Sequence, residues 1–169
     1  MHIVLLGYMG SGKTTIGKKL AKKLEINFID LDDYIEEQEG SSINKIFSDK
    51  GEIYFRKLEH RSLQKLLDKN DSFVLSIGGG TPCYANNIEL INKSSFSIYL
   101  KTSIKDLYKR LVKRRSKRPL IKDLKKDDLY EFIAKHLFER APYYEKAQLI
   151  ISTDKKESEI IDEIKSNML

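Results

Sequence analysis

The sequence has a single cysteine, Cys83, so no disulfide can form within the chain. It has no run approaching the roughly 20 consecutive apolar residues of a membrane span, and no basic region followed by a long apolar stretch at its start. Internal repeats and low-complexity linkers are also absent. These absences argue against a membrane protein or a disulfide-rich secreted protein, and they predict a protein of the cytoplasm. Nothing beside Cys83 in sequence would activate a thiolate, so we interpret it as structural or incidental.

The length and composition are those of one ordinary globular domain. Hydrophobic residues make up 40% and charged residues 33% of the 169 residues, which is enough chain to bury a substantial core. We therefore expect residues 1–169 to form a single domain, and nothing in the sequence demands more than a monomer.

The positive charge is concentrated in one segment. The net charge is +6, yet residues 105–126 alone carry eleven Lys and Arg against two Asp, so the remainder of the chain is net acidic. A protein that follows a nucleic-acid backbone usually spreads basic residues over a face and adds aromatic side chains for stacking. The segment favours a single polyanionic ligand over nucleic acid, with a solvated basic helix as the alternative.

The stretch Gly7–Thr15, Gly-Tyr-Met-Gly-Ser-Gly-Lys-Thr-Thr, has the spacing of a phosphate-binding P-loop. An apolar run at 3–6 precedes it and predicts a buried parallel strand, and residues 13–24 predict an amphipathic helix. The glycines let backbone N–H groups approach phosphate oxygens, and the helix adds the positive end of its dipole. Strand, turn and helix in this order predict binding of a nucleoside triphosphate.

The residue types in the loop predict a division of roles. Lys13 would bridge the β- and γ-phosphates, and the Thr14 hydroxyl would hold Mg²⁺. Arg118, in the basic segment, is placed where a mobile arginine can close over the phosphates. The predicted ATP-binding residues are Gly10, Ser11, Gly12, Lys13, Thr14, Thr15 and Arg118.

Alternating strand and helix patterns predict an α/β fold. Further strands are expected at 27–29, 72–77, 95–100 and 148–152, and helices at 34–39, 52–69, 103–115, 127–143 and after Asp154, with Glu157 as the partner in a cap-like pair. Such alternation is typical of a parallel sheet covered by helices on both faces. Ligands of these sheets bind at the carboxyl ends of the strands, so the loops at those ends are the ones to inspect.

The first such loop carries three aspartates, Asp30, Asp32 and Asp33. Strand alternation would place Asp30 and Asp32 on one side, where one carboxylate can serve a magnesium ion and the other an acceptor hydroxyl. The alternative is that Asp32 or Asp33 only caps the helix expected to start at Tyr34.

A triple glycine at 78–80 follows the third strand, and two arginines lie in partly apolar surroundings. Three glycines at a strand end usually mean that the backbone turns sharply or approaches a ligand closely. Arg56 follows two aromatic residues, and Arg140 precedes Ala-Pro-Tyr near a helix end. Arginine is suited to bidentate binding of a carboxylate, so the pair would specify a small acidic acceptor. Structural ion pairs are the alternative.

Taken together, these motifs resemble the shikimate kinases almost from end to end. The resemblance implies a P-loop fold of the nucleoside monophosphate kinase type, with a five-stranded parallel sheet and a mobile lid at about 113–126. It also implies ATP-dependent phosphorylation of the 3-hydroxyl of shikimate, giving shikimate 3-phosphate and ADP on the pathway to chorismate and aromatic amino acids. The motifs are Gly-Tyr-Met-Gly-Ser-Gly-Lys-Thr-Thr-Ile-Gly at 7–17, Phe-Ile-Asp-Leu-Asp at 28–32, Gly51-Glu52 with Phe55-Arg56 and Glu59, the triple glycine, Arg-Pro-Leu at 118–120 and Arg-Ala-Pro-Tyr at 140–143.

The resemblance also implies roles for single residues. Thr14 would bind Mg²⁺ directly and Asp30 through water, while Lys13 and Arg118 would act on the phosphates. On the acceptor side, Asp32 would orient and deprotonate the shikimate hydroxyl. The shikimate-binding residues would be Asp32, Arg56, Gly79 through its amide, and Arg140. Lys155-Lys156 stand where the family often has an arginine near the adenine, so we assign no adenine contacts.

Other P-loop proteins explain fewer of these features. A gluconate kinase, the principal alternative, or a nucleoside monophosphate kinase shares the P-loop and the size, but not Asp-Leu-Asp, triple glycine and Arg-Ala-Pro together. A GTPase switch would need Asn-Lys-x-Asp, but the Asn-Lys at 92–93 is followed by Ser-Ser and the Asn-Lys at 44–45 by Ile-Phe.

Overall fold

The computed structural model describes residues 1–118 and 120–168 and is built on one parallel sheet. Its five strands lie in the order β2-β3-β1-β4-β5, and each neighbouring pair runs parallel. The strands are β1 (His2–Leu6), β2 (Asn27–Asp30), β3 (Phe73–Ser76), β4 (Phe96–Lys101) and β5 (Leu149–Ser152). The predicted parallel α/β fold is confirmed.

Helices cover both faces of this sheet. They are α1 (Lys13–Leu24), α2 (Leu31–Glu39), α3 (Ile43–Leu67), α4 (Asn87–Ser94), α5 (Ile104–Arg114), α6 (Lys126–Tyr144) and α7 (Glu157–Met168), with short 3₁₀ turns at Thr81–Cys83 and Arg115–Lys117. Within the described ranges, no helix combines the length and the apolar character needed to cross a bilayer.

The central strand β1 shows how the core is divided. All five of its residues are buried, and alternate side chains point to opposite faces of the sheet. Val4 and Leu6 join the cluster formed with α2 to α6, whereas Ile3 and Leu5 join the cluster formed with α1 and α7. A strand buried on both faces is typically a near-continuous apolar run, which is why residues 3–6 of β1 are all apolar.

Strand register brings the three predicted site loops to one edge. Leu5 in β1 and Asp30 in β2 both pair with Ser76 in β3. The three strands therefore end nearly level, and the P-loop, the aspartate loop and the triple glycine leave the sheet side by side.

Helix α2 begins earlier than predicted, and its cap is a different aspartate. The Asp30 carboxylate accepts hydrogen bonds from the backbone N–H of Asp32 at 3.0 Å and of Asp33 at 3.3 Å, which makes Asp30 the N-cap of a helix starting at Leu31. The helix therefore does not start at Tyr34 as expected, and the alternative interpretation, that Asp32 or Asp33 only caps it, is wrong. Asp30 takes the cap because its extended backbone ends β2 and its oxygen reaches two otherwise unpaired amides.

Other boundaries also differ from the sequence patterns. Helix α3 begins at Ile43, capped by Ser42, and continues through a bend at Gly51, where φ is +83°; the sequence pattern predicted a start only at Glu52. Helix α4 was not predicted. In α7 the Glu159 carboxylate accepts from the Lys156 N–H at 2.8 Å, so the expected pairing of Asp154 with Glu157 is not the cap.

Candidate active site

A cleft of about 910 Å³ opens at the carboxyl edge of the sheet, and every predicted site residue lines it. One wall is the P-loop with the basic segment. The other holds the aspartates, the triple glycine and the two arginines. Residues from six separate stretches of sequence thus meet at one place, as the alternation of strands and helices predicted.

The P-loop owes its shape to glycine. Gly10 and Gly12 have φ of +82° and +94°, the region that favours glycine. Gly7, at +149°, also has no room for a side chain, because a Cβ there would lie 2.9 Å from the Leu100 carbonyl oxygen. The loop then leads into α1, whose N-terminal N–H groups face the cleft as an anion-binding site.

Lys13 folds back over this loop. Its ammonium donates to the carbonyl oxygens of Gly7 at 2.7 Å and Tyr8 at 3.1 Å. Burial, followed by the positive charge of Arg118, lowers the pKa of Lys13 to about 8. A neighbouring phosphate would favour the charged form and raise this pKa again.

The basic segment forms the rim above the P-loop. The cations of the segment that line the cleft are Lys109, Arg110, Lys113, Arg114, Lys117 and Arg118, and Lys155 joins this rim from the loop before α7. Arg110 donates to the Gly10 carbonyl oxygen at 2.9 Å, so the rim touches the loop directly. Burial, followed by the charge of Arg114, lowers the pKa of Arg118. Cations crowded in this way favour a ligand that carries several negative charges.

The segment predicted as a lid is anchored at its far end. Ile121 is fully buried in the core, and Arg115 donates to the Leu124 carbonyl oxygen at 3.0 Å. Leu120, by contrast, is 63% exposed and lines the cleft. Pro119, part of the Arg-Pro-Leu motif, lies outside the described residues.

Both aspartates line the cleft, but alternation along a strand is not the reason, because only Asp30 lies in a strand. Asp30 ends β2 and Asp32 lies in the first turn of α2, so the helix start places both carboxylates on the cleft. Burial, and after it the negative charges of Asp30 and Glu59, raise the pKa of Asp32 to about 6. Burial also raises the pKa of Asp30. Asp32 makes no capping bond, so its carboxylate is available for chemistry.

Arg56 is held by a buried acid that the sequence analysis left without a role. Glu59 is 1% exposed, accepts from Arg56 Nη1 at 2.9 Å and accepts from the Thr81 hydroxyl at 2.7 Å. The Arg56 guanidinium also lies 4.1 Å from the centre of the Tyr84 ring. Arg56 therefore forms the ion pair considered as the alternative, and at the same time it lines the cleft. The helical spacing of Arg56 and Glu59 was the signal for this pair.

The triple glycine makes room for the guanidinium groups. A Cβ on Gly79 would lie 2.8 Å from Arg140 Nη1, and a Cβ on Gly80 would lie 2.8 Å from Arg56 Nη2. Neither glycine has a positive φ, so backbone conformation is not the reason for either. The Tyr144 hydroxyl donates to the Gly79 carbonyl oxygen at 2.5 Å, fixing this turn against α6. The two arginines and Asp32 consequently surround one small pocket.

Comparison with known proteins matches this architecture. The family model described as shikimate kinase matches residues 9–169. A shikimate kinase of Flavobacterium johnsoniae is 49% identical over 168 residues, covering 99% of this chain and 96% of that protein. The shikimate kinase of Bacteroides fragilis is 43% identical over 157 residues, covering 93% of this chain and 87% of that protein.

Solved structures agree. The crystal structure of shikimate kinase from Bacteroides thetaiotaomicron has a TM-score of 0.93 and 35% identity, with 99% of this chain and 98% of that chain covered. Shikimate kinase from Acinetobacter baumannii, in complex with shikimate, has a TM-score of 0.86 and 33% identity, with coverage of 99% and 94%. With its P-loop, its acidic and arginine-lined pocket and these relatives along its whole length, the chain belongs to the shikimate kinase family.

Proposed function

We propose that this kinase transfers the γ-phosphate of ATP to the 3-hydroxyl of shikimate, giving shikimate 3-phosphate and ADP. The observation that carries the proposal is that Lys13 and the P-loop line the same cleft as Asp32, Arg56 and Arg140. One side suits a triphosphate and the other a small acid with a hydroxyl group. The family description and the relative with bound shikimate support the same pair of substrates.

Arg56 and Arg140 would bind the shikimate carboxylate. Each guanidinium can make two parallel hydrogen bonds to a carboxylate, and Glu59 and the ring of Tyr84 restrict the position of Arg56. The Gly79 amide would add a contact from the backbone. A carboxylate held in this way fixes the ring of the acceptor and brings one hydroxyl toward Asp32.

Asp32 would act as the general base. Its carboxylate takes the proton of the 3-hydroxyl as that oxygen forms a bond to the γ-phosphorus and the bond from phosphorus to the bridging oxygen of ADP breaks. A pKa of about 6 suits this task, because a general base works best when its pKa lies near the operating pH.

Lys13 and Arg118 would stabilise the charge on the transferred phosphoryl group. Both side chains line the cleft on the nucleotide side, and fixed cations that meet charge developing in the transition state are among the strongest contributions to catalysis. The backbone N–H groups of the P-loop, Gly10 to Thr15, would bind the remaining phosphate oxygens.

Thr14 and Asp30 would hold Mg²⁺, Thr14 directly and Asp30 through water. Among the described residues no group of three or more His, Cys, Asp or Glu side chains is arranged around a metal site. The donors nonetheless fit, because Mg²⁺ prefers oxygen ligands and usually takes only one or two from the protein, with water and phosphate supplying the others. When bound, the ion would neutralise phosphate charge.

We further propose that residues 1–169 form one domain with a lid at about 113–126, and that the protein is a cytoplasmic monomer. The later part of the lid would be anchored by the buried side chain of Ile121 and by the hydrogen bond from Arg115 to the Leu124 carbonyl oxygen. The single cysteine is consistent with a reducing compartment.

Steady-state kinetics with a panel of acceptors tests the proposal. ADP release from Mg-ATP is measured with shikimate, gluconate and nucleoside monophosphates, and the product is identified by mass and by the phosphorylated position. Gluconate is the informative rival because it is also a carboxylate. We expect kcat/KM to be highest for shikimate by orders of magnitude.

Lys13→Met, purified in the same way, is the control for kinase carried over from the expression host. It should lose turnover by roughly 10² or more without losing thermal stability. Equal activity in the variant, or a preference for gluconate or a nucleotide in the native protein, would contradict the proposal.

A further inference from the structure

Tyr8, a residue of the P-loop, has a large buried side chain whose hydroxyl contacts helix α6. It is 1% exposed, and its hydroxyl is 2.9 Å from Nδ1 of His136 on α6. The two rings meet edge to face, with centroids 5.4 Å apart. A tyrosine buried to this degree keeps its hydroxyl only with a partner, because an unpaired hydroxyl inside the protein costs free energy.

The same side chain also contacts the next turn of α6. Arg140 follows His136 by one helical turn, and its guanidinium lies 5.9 Å from the centre of the Tyr8 ring. Tyr8 therefore contacts α6 twice, through its hydroxyl at His136 and through its ring face at Arg140. A cation over a tyrosine ring is attracted by the negative face of that ring.

The backbone of Tyr8 belongs to the nucleotide side. Its carbonyl oxygen accepts from the Lys13 ammonium at 3.1 Å, while Arg140 lies on the acceptor side against Gly79. Tyr8 is thus a residue of the P-loop whose side chain reaches the acceptor half of the cleft.

We infer that Tyr8 and His136 are a pair of positioning residues: their hydrogen bond fixes the turn of α6 that aims Arg140 at the substrate carboxylate. The inference rests on the proposed function, because it concerns how tightly shikimate is held. Neither residue touches the reacting atoms, and we expect neither to change the chemical step.

The environment of His136 is consistent with this role. Burial, followed by the charge of Arg140, lowers the pKa of His136 to about 4, and burial raises the pKa of Tyr8 to about 12. Both groups are therefore neutral at the pH of an assay. A neutral ring beside Arg140 adds no second cation that would repel it, and Arg140 stays free to pair with the substrate.

The test is a double-mutant cycle read by steady-state kinetics. Tyr8→Phe removes only the hydroxyl and keeps the ring under Arg140 and the carbonyl on Lys13. We expect its KM for shikimate to rise roughly five- to tenfold, as for the loss of one buried hydrogen bond. The KM for ATP and kcat should stay within about twofold, since the nucleotide contacts are unchanged.

His136→Leu should raise the KM for shikimate similarly, and the double variant Tyr8→Phe/His136→Leu should be no worse than His136→Leu alone. His136→Gln keeps a hydrogen-bonding atom and should recover part of the loss. Tyr108→Phe is the matched control, because Tyr108 on α5 contacts Tyr130 on α6 with ring centroids 5.6 Å apart and has no role in the proposed site.

The outcomes separate this inference from the proposed function. If native protein does not phosphorylate shikimate, the proposed function fails. If native protein is active but Tyr8→Phe has the native KM for shikimate, or if the Tyr8→Phe and His136→Leu effects simply add, the positioning role is wrong. A fall in melting temperature with native kinetics would assign the bond to stability alone and would also overturn the inference.

Discussion

Asp30 and Asp32 are only two positions apart, yet their different surroundings give them different roles. Asp30 accepts two backbone N–H bonds as the N-cap of α2, whereas Asp32 makes no such bond and has its pKa raised to about 6. The structure therefore removes the capping explanation for Asp32. A carboxylate that burial makes costly to ionise is a good candidate for a catalytic base.

Asp32→Asn should lower turnover sharply while nucleotide binding remains. Asparagine has the same shape but cannot accept the hydroxyl proton, so we expect kcat to fall by roughly 10² or more. ATP affinity, measured by calorimetry, should stay near the native value because the P-loop is untouched. Turnover close to that of the native enzyme would exclude Asp32 as the base.

The same carboxylate predicts two pH dependences. Native kcat/KM should fall about tenfold per pH unit below about 6, because protonation removes the base. In the folded state the pKa is raised, so the stability linked to Asp32 is present at low pH and is lost as the pH rises from about 4 to about 6. The melting temperature of Asp32→Asn relative to native should therefore increase over that window and then level off. A constant difference between the two proteins from about pH 4.5 to 7 would contradict the raised pKa.

Gly79→Ala and Gly80→Ala should weaken shikimate binding more than stability. The added Cβ would lie 2.8 Å from a guanidinium nitrogen of Arg140 or Arg56, and the end of a long side chain moves at little cost to the fold. We expect the KM for shikimate to rise about tenfold or more, as when a charge-assisted contact is misaligned.

Gly40→Ala is the matched control for these variants. Gly40 has φ of +62° and nothing within 4 Å of a Cβ, so alanine there should lower the melting temperature through backbone strain and leave the KM unchanged. An unchanged KM for shikimate in both Gly79→Ala and Gly80→Ala would show that the arginines need no such room.

The two arginines should make the enzyme selective for an acid. Removing one charge-assisted contact in a partly dry pocket should cost roughly 2–5 kcal/mol, and Arg140→Lys should recover only part because lysine lacks the planar fork. We expect shikimate methyl ester to be a poor substrate for native enzyme, and the preference for acid over ester to shrink in Arg56→Ala. The measurement is kcat/KM for both compounds in native, Arg56→Ala and Arg140→Lys forms. Equal use of acid and ester by native enzyme would mean that the arginines do not recognise a carboxylate.

Among the elements, the basic segment at 105–126 combines many neighbouring cations with buried and hydrogen-bonded anchors. Its cations line the nucleotide side of the cleft, while Ile121 and the bond from Arg115 to Leu124 fasten its later part. Like charges at short range repel one another, and a bound polyphosphate offsets that repulsion. Movement on nucleotide binding should therefore concentrate before Ile121.

Limited proteolysis can measure that movement. Cleavage by trypsin between Arg114 and Lys126 should slow markedly when a non-hydrolysable ATP analogue is present, because the ligand orders the segment. Shikimate alone should protect far less, since its contacts lie on the other wall. Arg118→Ala should lower kcat while changing shikimate affinity little. Equal cleavage rates with and without the analogue would contradict a nucleotide-ordered lid.

Across the whole molecule, charge is divided between the two sides of the cleft. Seven rim cations and Lys13 line the nucleotide side, whereas on the acceptor side Arg56 is paired with the Glu59 carboxylate. Salt should therefore weaken ATP binding more than shikimate binding, because the rim cations are partly exposed and are screened as the Debye length shortens.

Raising KCl from about 0.05 to 0.5 M should increase the Kd of ATP several-fold and that of shikimate much less. Adenosine, which has no phosphate, is the control for effects unrelated to charge and should bind with nearly constant affinity. Equal salt sensitivity of ATP and adenosine would mean that the basic rim does not attract the phosphates.

The sequence alone determined the fold class, the P-loop and a set of candidate site residues, all of which line the cleft. These follow from local rules: apolar runs make buried strands, glycine spacing makes a phosphate loop, and parallel strands deliver their loops to one edge. The triple glycine and the two arginines were also recognisable in the sequence, because three glycines at a strand end and arginines beside aromatic or apolar residues are unusual.

Only the tertiary structure decided which partners these residues have. Asp30 caps α2 because its carboxylate lies within hydrogen-bond distance of two otherwise unpaired N–H groups, those of Asp32 and Asp33. The residue types alone do not determine the distance between these atoms. The reason for Gly79 and Gly80 lies in guanidinium groups contributed by distant helices, and the bond between Tyr8 and His136 joins residues 128 positions apart. Contacts over such separations depend on how helices pack across the sheet, and no local pattern in the chain specifies that packing.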